Sequence, residues 1–265
     1  MTRTLLTTSS QKGGVGKTMF AAALLDTLRQ SGQRVDGYDA DGAIGGLVDL
    51  HGSRTSDGHL QDPQDPSQGV VPYDIRDADS RGLLINCLET DARVMLHDLA
   101  GGALGALCML FGDDPATGLI GLDQTLDDLD VNMTILHLVN RDEGSVVSVG
   151  QYLDLTTPCR RIGHVAVINR HRAREADLWA WLGTADGQHG GKTRERLLDR
   201  GGMEMCLPAL DDGAAALALA ASAPFSVASQ HRDLPLIQRQ RIRQFLRAFD
   251  AELTPEIRAT LGVGG

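Results

Sequence analysis

Short apolar runs alternate with longer amphipathic stretches along the 265 residues. Leu5-Leu6-Thr7-Thr8 reads as a strand, and Met19 to Leu25 lies in a helix expected over about 17–30, stopped by Ser31-Gly32. Segments 33–38, 93–98, 131–139, 164–170 and 203–208 read as further strands, with 93–98 and 164–170 showing the pattern of buried strands. Helical spacing recurs over 77–88, 104–111, 143–153, 213–222 and 233–253, and in the last of these Ile242, Phe245, Leu246, Phe249 and Leu253 make one apolar face. This alternation predicts an α/β fold, doubly wound, with a mostly parallel sheet flanked by helices. The length fits a single domain over 1–265. The pattern lapses between 45 and 80. Residues 45–68 are rich in Gly, Asp, Ser and Pro and are expected to form a long variable loop or lid, a natural surface for a specific partner.

Composition narrows the function classes. Hydrophobic residues make up 42% of the chain but aromatics only 4%, so the core is expected to be aliphatic, with few rings on which bases could stack. Net charge is −10, so binding to nucleic acid or to an anionic membrane requires a local basic patch. Cys87, Cys108, Cys159 and Cys206 show no C-x-x-C pairing and read as reduced, buried thiols. The first residues lack a signal-peptide apolar region, and the longest nearly apolar runs, 102–112 and 213–225, are too short to span a bilayer. The expectation is a cytoplasmic protein.

The candidate chemistry is concentrated in Ser9-Ser10-Gln11-Lys12-Gly13-Gly14-Val15-Gly16-Lys17-Thr18, between the first strand and the first helix. Glycines let successive backbone N–H groups converge on phosphate oxygens, and a helix start adds unpaired N–H groups and a positive dipole end. Lys17 is placed to reach β- and γ-phosphates and Thr18 to ligate Mg²⁺. The usual phosphate-loop pattern is G-x-x-x-x-G-K-[ST], but here Gln11 takes the first glycine position and Lys12 lies inside the loop. Only three of the 25 basic residues are lysine, and two of those are in this loop. A compact ammonium suits a phosphate cradle better than a planar guanidinium.

The stretch resembles the deviant Walker A motif, K-G-G-x-G-K-[ST], of the ParA/MinD family of ATPases. The resemblance implies ATP and Mg²⁺ as cofactors, nucleotide contacts along Lys12, Gly13, Gly14, Val15, Gly16, Lys17, Thr18 and Met19, and a Lys12 that reaches the partner's nucleotide across a homodimer. Asp39-Ala40-Asp41 matches the family's D-x-D, which gives Asp41 the task of positioning the attacking water and Asp39 a supporting place near Mg²⁺. Gly42 stands where relatives often have proline. Arg93 to Asp98 is similar to Walker B, with Asp98 holding Mg²⁺ through water beside Thr18, and Leu99-Ala100-Gly101-Gly102 follows in place of the usual proline. Asn169, ending a strand, matches the asparagine that reads the adenine edge in the MinD branch. Pro208 and the segment 209–212 resemble the adenine-contacting loop. The guanine-selective [NT]-K-x-D pattern is absent, which favours ATP.

Other features fit less tightly. His97, next to Asp98, reads as a structural histidine, because phosphoryl transfer needs none. Gly190-Gly191-Lys192-Thr193 mimics a phosphate loop but follows no strand. The acidic stretch 113–130 reads as a solvated face. Arg239, Arg243 and Arg247 form an i, i+4 stripe whose like charges weaken the helix, a pattern that suits a polyanion. Residues 254–265 lack a basic amphipathic pattern, so no membrane anchor is expected. The resemblance implies a slow, partner-stimulated ATPase that dimerises around two ATPs and positions or partitions a cargo, with ATP-dependent non-specific DNA binding and nucleoid association. The alternative is an ATP-gated adaptor of a conjugation, secretion or polysaccharide-export machine that does not bind DNA.

Overall fold

The computed structural model describes residues 3–11, 13–42, 46–112, 114–171 and 173–263. Seven strands form one sheet: β1 (Arg3–Ser9), β2 (Val35–Ala40), β3 (Val71–Pro72), β4 (Val94–Leu99), β5 (Val131–Val139), β6 (Ile162–Asn169) and β7 (Met203–Leu207). Their spatial order is β3-β2-β4-β1-β5-β6-β7, and every pairing is parallel. Helices α1 (Lys17–Gln30), α2 (Gly46–His51), α3 (Leu83–Asn86), α4 (Leu104–Cys108), α5 (Pro115–Asp128) and α6 (Glu143–Leu155) alternate with the first strands. Helices α7 (Trp179–Leu182), α8 (Lys192–Asp199), α9 (Asp212–Ala220), α10 (Phe225–Ala228), α11 (Leu236–Glu252) and α12 (Pro255–Thr260) follow.

Strand side chains alternate between two apolar layers, as the period of two requires. Leu6, Leu96, Leu136, Leu138, Val165 and Val167 face the layer under α1, α9, α10, α11 and α12, where Phe20 and Phe249 meet edge to face at 5.7 Å. Leu5, Met95, Met133 and Ile135 face the opposite layer, under α4 and α5. Helices on both faces leave β4 wholly buried and the other central strands almost so, which is why these segments read as apolar runs. β1 lies at the centre, flanked by β4 and β5, so the loop that leaves its carboxyl end opens where chain connections diverge to either side. Ligands bind at such switch points in open α/β sheets.

Several segments depart from the sequence reading. Residues 46–51 form α2 instead of loop, with Leu47, Val48 and Leu50 buried, and β3 adds a short edge strand at 71–72. The helix expected over 77–88 shrinks to turns followed by α3 and one 3-10 turn at Cys87–Glu89. The helix expected over 104–111 ends at Cys108, because α5 packs against its end so closely that a Cβ at Gly118 would sit 1.6 Å from the Cys108 carbonyl oxygen. Among the described residues no helix is long and apolar enough to cross a membrane.

Candidate functional site

The loop from Ser10 to Gly16 leaves β1 and enters α1 without a side-chain cap, so the first N–H groups of the helix face the loop. Gly14 (φ 73°) and Gly16 (φ 99°) adopt left-handed backbone, which glycine enters freely. A Cβ at Gly16 would also strike Asn169 Nδ2 at 2.6 Å, whereas nothing lies within 4 Å of one built on Gly13 or Gly14. The loop is therefore packed on its β6 side and open over Gly13 and Gly14. Val15 is buried and pins the loop from beneath, and Lys17 is buried with it. Lys12 lies outside the described residues.

Asp98 is the penultimate residue of β4, beside the start of α1. Its Oδ1 accepts from Thr8 Oγ1 at 2.6 Å and its Oδ2 from Thr18 Oγ1 at 2.7 Å, while the Leu99 N–H donates back to Thr8 Oγ1 at 3.1 Å. The register of β2 on β4 sets Asp39 opposite Asp98, with Asp39 wholly buried and Asp98 nearly so. Burial, then the negative charge of Asp98, pushes the Asp39 carboxyl up to about 6. Burial likewise raises Asp98, against the lowering effect of its threonine hydrogen bonds and of Lys17. Two adjacent buried carboxylates form a place where a cation relieves electrostatic strain.

Asp39 Oδ2 accepts the N–H groups of Leu47 at 2.9 Å and Val48 at 3.0 Å, so this carboxylate anchors the start of α2. Asp41, just past β2, is partly exposed, and its Oδ1 lies 3.2 Å from Arg76 Nη1. Among the described residues no group of three or more His, Cys, Asp or Glu could hold a metal unaided. The residues fit Mg²⁺ in the manner that ion prefers, with few protein oxygens and the remaining ligands from phosphate and water.

His97 is fully buried, hydrogen-bonded to Tyr73 Oη at 2.8 Å and to Cys87 Sγ at 3.3 Å, and stacked 4.3 Å from Tyr38. Burial holds its imidazole down at about 3 and the Cys87 thiol up at about 12, so both are neutral packing groups. The mimic loop at Gly190-Gly191 precedes α8 after turns and no strand, and is remote from β1 in the sheet order.

On the β6 side, Gly14, Gly16, Met19, Asn169 and Pro208 line one cleft of about 160 Å³. Asn169 Nδ2 donates to Val15 O at 2.8 Å, and its Oδ1 accepts from the His171 N–H at 2.9 Å. His171, whose Nε2 lies 3.1 Å from Asp212 Oδ1, and Asp212 also line it. Sequence reasoning had no reason to select His171, two residues past a strand in an irregular loop.

The stripe on α11 is a separate feature. Arg239 and Arg243 are half-buried and Arg247 is exposed. Among the described residues none of the three forms an ion pair, whereas Arg241 pairs with Asp211 at 2.8 Å.

An all-parallel sheet in this order, with a glycine-rich loop joining its central strand to a buried helix, is the P-loop NTPase fold. The chain belongs to the family described as the CobQ/CobB/MinD/ParA nucleotide binding domain, whose profile it matches over residues 6–175. Among solved structures it is similar to the septum site-determining protein MinD of Pyrococcus horikoshii OT3 complexed with Mg-ADP. That match has 15% identity over 95% of this chain and 96% of that one, with a TM-score of 0.51. A single-residue variant of Cyanothece McdA, in a complex with ATP, matches at 11% identity over 99% and 98% of the two chains, with a TM-score of 0.47. A plasmid partition protein from Borrelia burgdorferi matches at 14% identity over 76% and 98%, with a TM-score of 0.40. At these identities the likeness is one of fold. No curated protein sequence matches the chain.

Proposed function

We propose that the chain, acting as one domain, is a Mg²⁺-dependent ATPase that dimerises around bound ATP and positions or partitions a cargo. The observation that carries this reading is the junction of Thr18, Asp98 and Lys17 at the start of α1, beneath backbone left open at Gly13 and Gly14. Phosphates would lie along the N–H groups of Gly13 to Thr18, with Lys17 on the β- and γ-phosphates. Mg²⁺, when bound, draws charge from the terminal phosphates as hydrolysis proceeds. Thr18 would hold it directly and Asp98 through water, with Asp39 acting indirectly because its Oδ2 is engaged by α2. The adenine would enter the cleft of Met19, Asn169 and Pro208. Asn169 already donates to Val15, which leaves one N–H of its amide for a base edge. Asp41 would orient water, and Lys12 would act across the dimer interface. Hydrolysis would be slow until a cargo-bound activator binds.

The unpaired arginines of α11 support a DNA-bound mode. A two-fold dimer doubles them on a shared surface, and each phosphate contacted adds counterion release. Non-specific duplex binding is expected with Mg-ATP and not with Mg-ADP, with log affinity falling against log salt at about −0.9 per phosphate contacted. Arg239→Glu combined with Arg243→Glu should abolish it and leave ATP affinity intact. Fluorescence anisotropy with a labelled duplex is the measurement. A wild-type ATP dimer that ignores DNA even at low salt would favour an ATP-gated adaptor that works through protein contacts alone.

A further inference from the structure

Arg76 lies in the segment that the sequence left without a task. Its Nη1 is 3.2 Å from Asp41 Oδ1 and its Nη2 donates to Gly101 O at 3.0 Å, so one guanidinium joins the loops that follow β2 and β4. Gly102 N–H in turn donates to Ser10 O at 3.1 Å, which leads directly into the phosphate loop. The position of Arg76 is set by backbone: Asp41 and Asp74 bridge antiparallel, Gly42 N–H donates to Tyr73 O at 2.9 Å, and Asp74 Oδ1 accepts the Arg76 N–H at 2.9 Å. The site has two ends. Asn169, His171 and Pro208 line the β6–β7 end. Thr18, Asp98, Asp41 and Arg76 occupy the β2–β4 end, where magnesium and the last phosphate belong.

A terminal phosphate entering there meets the negative charge of Asp41, and Arg76 is the cation beside it. A planar fork of N–H donors matches phosphate oxygens and already spans two acceptors. We infer that Arg76 discriminates ATP from ADP by exchanging its pairing with Asp41 for the γ-phosphate, which frees the Asp41 carboxylate to orient water. No covalent bond is made or broken in this exchange. ADP ends one phosphate short and leaves the Arg76–Asp41 pair in place. This inference rests on the ATPase reading above.

The test is isothermal calorimetry on the full chain with a slowly hydrolysed ATP analogue and with ADP, both with Mg²⁺. Arg76→Ala is expected to weaken the ATP analogue about tenfold, the loss of one charge-assisted contact, and to leave ADP within about twofold. Arg76→Lys should fall between, since an ammonium keeps charge but not the fork. Unchanged ADP affinity also shows that the variant is folded. Equal loss for both nucleotides, or loss for neither, would overturn the assignment. Wild-type protein that binds neither nucleotide would instead refute the ATPase reading on which it rests.

Discussion

Asp98 shows what the site requires of a single residue. Its carboxylate is buried, tied to Thr8 and Thr18, and set opposite a second buried carboxylate, Asp39. Burial raises both groups, so the folded protein holds each carboxylate charge less favourably than water does. Removing one charge should therefore stabilise the nucleotide-free protein. Asp98→Asn keeps the shape, and the threonine hydroxyls can turn to pair with the amide. Its melting temperature is expected to rise by about 2–4 °C, the shift of a ~1 kcal/mol change in a domain of this size, while Mg-dependent ATP turnover is lost. Calorimetric melting and a phosphate-release assay check both halves. A lower melting temperature, or undiminished turnover, would show that the charge of Asp98 is not held there for a cation.

At the scale of elements, legibility follows how local the signal is. α1 matches its sequence expectation end to end and β5 does the same, because apolar runs and the Ser31-Gly32 stop are written in contiguous residues. The glycine loop was legible for the same reason: spacing and residue type suffice to place it between a strand and a helix. α2 was not, since six residues are too few to show helical periodicity, and its start is held by Asp39 from another strand. α12 was missed although Thr254 caps it and Ile257 and Leu261 are buried. Its docking is tertiary, including Thr134 Oγ1 donating to Thr260 O at 3.1 Å. Arg76 and His171 share that fate: each lies in irregular chain, and only the folded sheet brings it to the site.

For the whole molecule, buried histidines set the response to acid. His51 is held down at about 3, His164 at about 4 and His137 well below its usual value, in each case first by burial. His137 Nε2 and His164 Nδ1 also share a hydrogen bond at 2.9 Å, and His97 adds a shift of the same sign. Each is neutral in the folded chain and protonates near 6.5 once unfolded, so the unfolded state gains protons as pH falls below about 6.5. Asp39, raised to about 6, works the other way, as does Asp98, because the folded state takes up their protons first. Burial raises Asp26 and Asp36 in the same sense, so four carboxylates oppose the four histidines. The unfolded-state histidines take up protons from about pH 6.5, above the Asp39 value, so stability should begin to fall there, read as the urea midpoint between about pH 7 and 6. A midpoint that holds or rises on acidification would contradict this balance.

Assembly is the other property of the whole molecule, and it carries the central claim. If phosphate seats over Gly13 and Gly14, with Lys12 reaching across a two-fold axis, the terminal phosphate completes the interface and ADP does not. Multi-angle light scattering of the wild-type chain with Mg²⁺ and a slowly hydrolysed ATP analogue should give twice the monomer mass of 28.3 kDa, and the monomer mass with Mg-ADP. Lys12→Ala should remain monomeric with either nucleotide. A mass that is the same with both nucleotides, or a Lys12→Ala protein that dimerises as the wild type does, would contradict an ATP-bridged dimer.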